Sequence, residues 1–145
     1  VLYSEEIMSE ISRIKEREQA VIYIFEKQFQ TDENVADLAL LSVMCETTVT
    51  SEYSVKLAET AEKNIAEIDE LISKNLKTGW TILRIPKIVL AILRIAITEI
   101  KYIDEIPVSV AINEAVELAK KYATDKEKGF INGLLASIAK ESSNE

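Results

Sequence analysis

Histidine is missing from this chain altogether, and cysteine occurs once. The first absence removes the commonest general base near neutral pH and the commonest transition-metal ligand. The second rules out an intrachain disulfide and suits a reducing compartment. Cys45 sits in the apolar run "LALLSVMC" and reads as a buried structural thiol, because no imidazole exists to activate it as a nucleophile. Three glycines and two prolines in 145 residues are too few for a turn-rich β architecture. No apolar stretch reaches the roughly 18–20 residues of a membrane span. The longest, "IVLAIL" over 88–93, is closed by Lys87 and Arg94. A glycine-rich phosphate loop and a metal-ligand cluster are both lacking, so no cofactor and no metal are expected. Positive charge is in deficit too: the net charge is −8. A nucleic-acid site on such a chain has to be a local patch, and the acidic balance otherwise fits solubility or a basic partner.

What is present is apolar residues at helical spacing. Hydrophobic residues make up 48% of the chain, enough for one domain with a real core. Ile14, Val21, Phe25 and Phe29 predict a first helix from about Glu10 or Ser12 to Gln30. A second is expected over 34–47, with Leu38, Leu41, Val43, Met44 and Cys45 nearly encircling it. A third runs over 52–75, with Ser51 or Thr50 as cap and a break near Asn64. Residues 76–86 read as a linker turned at Gly79. The fourth helix, over 86–102, has the apolar density of a central element. A fifth is expected over 108–122 and a sixth over 126–140, with Thr124 or Asp125 as cap. The fold class is all-α, a compact bundle of about six to seven helices in two small subdomains, 12–78 and 79–140. The chain opens on Val1 with acidic residues instead of a basic leader, so residues 1–11 read as an upstream extension or cloning remnant, and a cytoplasmic location is expected.

Several polar residues interrupt this pattern. Arg13 and Arg17 are four residues apart and share a helix face, with Lys15 round from them and Glu16 and Glu18 between. They read as an ordinary charged first turn or as a basic arm for phosphates. Arg94 stands inside "AILRIAI", either snorkelling to water or bonded internally. Trp80 either plugs a junction between helix layers or offers a stacking platform, and Phe130 is a core aromatic or an exposed platform. Asn113 and Glu114 lie within the first two turns of the fifth helix and suit helix-end bonding. Glu117 and Lys121 make a favourable i,i+4 pair. Gly133 costs about 1 kcal/mol against alanine inside a helix. That cost suggests close approach of another helix, with Asn132 bonding its backbone.

The stretch "ILRIAITEI", then "IPVSVAINEAVELAKKYATDKEKGFINGLL", resembles the C-terminal half of NusB-type transcription antitermination factors, over about residues 86–139. "SRIKEREQAVIYIFEKQF" is similar to that family's arginine-rich opening. The resemblance implies an all-α fold of two helical subdomains. It implies binding of boxA-type single-stranded RNA together with NusE, a ribosomal protein, in an RNA polymerase antitermination complex. It makes Arg13, Lys15 and Arg17 phosphate-contact candidates and Phe130 an RNA-contact candidate. Arg94, Asn113, Glu114, Asn132 and Gly133 match the family motif and are assigned to fold integrity. Ile14 stands where the family pairs arginines, Glu16 replaces a neutral or basic residue, and Glu5, Glu6 and Glu10 add acid nearby. These departures leave a second reading, a protein-interaction module of the same fold with weak or no RNA binding.

Overall fold

The computed structural model describes residues 5–29 and 51–143. The second helix expected over 34–47, and Cys45 within it, lie outside them. The described residues form six α-helices and one 3-10 turn, with no strand. These are α1 (Glu5–Glu26), α2 (Glu52–Lys63), α3 (Ile65–Lys74), the turn Ile82–Arg84, α4 (Lys87–Tyr102), α5 (Val108–Tyr122) and α6 (Asp125–Ser143).

Local chemistry explains most boundaries. Ser51 caps α2, its Oγ accepting from the Ser54 amide at 3.0 Å. The long third helix is broken at Asn64, whose side chain turns back and donates to the Thr60 carbonyl at 2.9 Å, a local bond that competes with helix propagation. α6 begins with a reciprocal box. The Glu127 amide donates to Thr124 Oγ1 at 3.2 Å, and the Thr124 amide to Glu127 Oε2 at 2.9 Å, which satisfies two free donors of the first turn. It therefore starts at Asp125, one residue before the predicted start. α1 begins at Glu5, earlier than expected, because nothing between Glu5 and Ser12 breaks a helix and acid is favourable at its positive end.

α4 is the inner element. Eleven of its sixteen residues are buried, as expected of a helix apolar on all sides. α1, α2, α3, α5 and α6 all pack against it. Phe25 of α1, Leu57 of α2, Ile68 and Ile72 of α3 and Ile131, Leu135 and Ile138 of α6 join its aliphatic side chains in one cluster.

Gly133 departs from the expectation. It is exposed, and a Cβ built there has nothing within 4 Å. No residue of another described helix comes within 4 Å of that position, so close packing among the described residues does not account for it; Asn132 beside it is exposed as well. Gly133→Ala should stabilise the fold by about 0.5–1 kcal/mol, since it removes backbone freedom from the unfolded chain and meets no obstacle in the folded one. A urea melt reads this as a higher midpoint at unchanged slope.

Candidate nucleic-acid and partner interface

α1 positions the three cations singled out in the sequence, and only one is free of the core. Lys15 is exposed. Arg13 is half-buried, its guanidinium 3.6 Å from the centroid of the Tyr53 ring. Arg17 is 4% exposed. Its Nε donates to both carboxylate oxygens of Glu99 on α4, each at 2.8 Å. Tyr53 Oη donates to the same carboxylate at 2.5 Å. Burial, and then the bond to Glu99, push the Tyr53 hydroxyl well above its ordinary range. Arg17 is thus committed inward, and its expected phosphate contact gives way to a structural one. Glu99 and Tyr53 were not visible as its partners in the sequence. The one available signal was a carboxylate within a mostly aliphatic helix.

A second region forms where the 75–89 segment meets the start of α6. Gly79, at φ +89°, turns the chain into Trp80, whose amide donates to the Lys77 carbonyl at 3.0 Å. Trp80 is left 50% exposed, with the Arg84 guanidinium 5.9 Å from its ring. Trp80 and Phe130 both line one groove of about 770 Å3, together with Gly129 and Gly133. No α1 residue lines it, so the structure places Phe130 in this groove and apart from the α1 cations.

A third feature is an apolar cleft of about 460 Å3 between the end of α1, α3 and the start of α4. Ile24, Ile65, Ile82, Leu83 and Leu90 are among its walls. Leu83 at its edge is 92% exposed.

The remaining motif residues sit as follows. Arg94 makes a bidentate pair with Asp69 of α3, Nε to Oδ1 at 2.9 Å and Nη2 to Oδ2 at 2.8 Å, so it is bonded internally. Asn113 is exposed, while Glu114 is half-buried and has an interaction partner. Glu117 pairs with Lys120 at 2.7 Å instead of with Lys121. Lys121 reaches across to Glu18 of α1, also at 2.7 Å, and Tyr122 Oη donates to the same oxygen. The bond to Glu18 raises the Lys121 ammonium; burial and that same carboxylate raise the Tyr122 hydroxyl. These contacts tie α1 to the α5–α6 corner.

An all-α scaffold carrying a groove lined by Trp80, Phe130, Lys77, Arg84 and Lys126 and an apolar cleft edged by an exposed leucine has the surface features of the helical binding proteins. The NusB family model matches residues 14–140, and the chain belongs to that family. Transcription antitermination protein NusB of Listeria monocytogenes serotype 4a is 40% identical over 131 residues, covering 90% of this chain and 98% of that protein. NusB of Natranaerobius thermophilus is 39% identical over 136 residues, covering 90% and 96%. Among solved structures, T. maritima NusB superposes with a TM-score of 0.72 at 31% identity, over 89% of this chain and 91% of that one. A complex of antitermination factors NusB and NusE with double-stranded RNA gives 0.70 at 25% identity, over 89% and 96%.

Removing one member of a buried ion pair strands the other, at a typical cost of about 3–5 kcal/mol. Arg17→Ala should therefore lower stability by roughly that amount, measured by denaturant unfolding. A melt that matches the parent protein would show that the Arg17–Glu99 bond is not a structural necessity.

Proposed function

We propose that this chain is a transcription antitermination factor that binds boxA-type single-stranded RNA together with a NusE-type ribosomal protein, and so acts on RNA polymerase elongation. It acts by binding and carries out no turnover. The observation that carries this reading is the match, over 89% of the residues, to a chain of a NusB–NusE complex with double-stranded RNA; it supports an RNA and a NusE-type partner, and the single-stranded boxA form is what the likeness to the family implies. The names of the curated relatives agree with it.

The side chains divide the work. Lys15 and the outer part of Arg13 are the phosphate contacts on α1, and Phe130 is the RNA contact on α6. Arg17 is a positioning residue: it anchors α1 to α4 and so sets the direction in which Lys15 points. Arg94, through Asp69, fixes α3 on α4. The apolar cleft edged by Leu83 is the surface for the protein partner. An exposed leucine beside several aliphatic walls is the kind of patch that marks a protein interface. The net charge of −8 draws a basic ribosomal protein and repels RNA everywhere except at local cations. The two partners are thereby directed to different places.

An RNA titration with and without the NusE-type protein, repeated at several salt concentrations, tests the assignment. Lys15→Ala should make the salt dependence shallower by about 0.7 in log–log slope, the expectation for one lost phosphate contact on a single strand, with an unchanged melting temperature. Leu83→Lys should weaken the protein partner roughly tenfold, as expected for loss of a well-packed apolar contact, and leave binding of RNA alone intact. RNA affinity that is absent with and without the partner would leave only the protein-interaction reading.

A further inference from the structure

Trp80 is the single tryptophan of the chain, and it is half exposed on a turn that the fold holds in place. The Lys77 carbonyl accepts its amide, and Arg84 lies over its ring. Below it runs the groove of about 770 Å3, within the roughly 300–1,000 Å3 typical of sites for small organic groups. Pro86, Val89, Phe130 and Leu134 supply apolar wall. Gly129 and Gly133 are four residues apart on one face of α6, and a Cβ at either meets only open space. Among the described residues nothing packs against either glycine, and each costs helix stability. Without side chains there, the wall beside Phe130 is low.

The rim is cationic on a strongly acidic chain. Lys77, Arg84 and Lys126 line it and are exposed. The one carboxylate in the lining, Glu127, is bonded to the Thr124 amide in the helix cap. Meanwhile α1 has turned Arg17 inward and placed Arg13 against Tyr53, so the groove holds the better cluster of available cations. Apolar walls with aromatic faces and a basic edge match an unstacked base joined to a phosphate chain. A partner's aliphatic side chain would fit the walls and leave the cations without use.

We propose that the Trp80 groove is a nucleobase-binding site. A base splayed from single-stranded RNA stacks on the Trp80 indole, and Lys77, Arg84 and Lys126 contact the flanking phosphates. This rests on the RNA-binding reading above and adds to it a stacking residue and a second set of phosphate contacts. Base–aromatic stacking is commonly worth enough that its loss weakens binding about 5- to 100-fold.

Because no other tryptophan is present, emission excited at the red edge of tryptophan absorption, where the tyrosines do not absorb, reports this site alone. Titration with a short single-stranded boxA-type oligoribonucleotide should quench it. The same oligonucleotide with abasic sites at every position should quench it much less. Trp80→Ala should weaken RNA binding about 5- to 100-fold and Trp80→Phe less, with both variants melting like the parent. Arg84→Gln should make the salt dependence shallower by about 0.7 in slope and serves as a second readout if Trp80→Ala unfolds. If RNA binds while the emission is unchanged and both Trp80→Ala and Arg84→Gln behave as the parent, the groove assignment is overturned and the RNA reading stands. If emission responds to the NusE-type protein and not to RNA, the groove is a protein site and the assignment is likewise overturned. If no RNA binds even with the partner present, the RNA reading fails and takes this site with it.

Discussion

A carboxylate at 1% exposure is intolerable in an aliphatic helix unless it is neutralised and bonded, and Glu99 is that carboxylate. Desolvating one ion costs several kcal/mol, and mutual attraction offsets the cost only in good geometry. Glu99 accepts from Arg17 of α1 and Tyr53 of α2. Three helices far apart in sequence thus have to meet at one point and in one orientation. Ser54, one residue after Tyr53, adds bonds to the Glu16 carbonyl and the Gln19 side chain, each at 2.9 Å, and so sets the register of α2 along α1. The net stabilisation from such a buried pair is small; what it supplies is a fixed arrangement, because every alternative leaves a charge unpaired in the core.

The same logic recurs with less burial elsewhere. Arg94 and Asp69 join α4 to α3. Glu18 receives Lys121 and Tyr122 from the end of α5, and the Thr124–Glu127 box then starts α6 two residues later. The corner that begins the groove wall is therefore held to α1 by charge-assisted bonds and to its own helix by a cap. Both proposed contact surfaces rest on these ties: Lys15 depends on how α1 lies, and Phe130 on where α6 starts.

Much of the helical order was legible in the sequence. "IPVSVAINEAVELAKKY" gives α5 its observed limits, since Pro107 permits a start and the stripe of Ala111, Ala115, Leu118 and Ala119 has only one face to bury. The break near Asn64 was legible as well, from a short polar side chain able to bond its own backbone. The pairings were not. Arg17 and Glu99 are 82 positions apart, and an arginine four residues from another on a charged helix looks solvent-facing until the opposing carboxylate is known. Lys121 has a favourable neighbour in Glu117, yet a carboxylate on another helix takes it, because periodicity describes one helix at a time. Gly133 is ambiguous for a related reason: a missing side chain admits either a close neighbour or open space, and only the packing around it decides. Trp80 left two readings open, and only the packing around the turn at Gly79 decides that it is half exposed.

Under the proposed RNA-binding reading, the inward turn of Arg17 limits what α1 can contribute to holding a phosphate chain. Arginines used to neutralise a buried carboxylate are withdrawn from the surface field, so α1 presents less positive charge than its sequence advertises. Counterion release scales with the number of phosphates neutralised, and one exposed lysine with a partly covered arginine supplies little. Affinity then has to come from contacts that do not depend on net charge. Stacking on an exposed aromatic is the available kind, and it is strongest where a few cations and a low wall let the sugar–phosphate chain approach. The region around Trp80 meets those conditions, and under the proposed RNA-binding reading it carries the larger share of recognition while α1 chiefly aligns it.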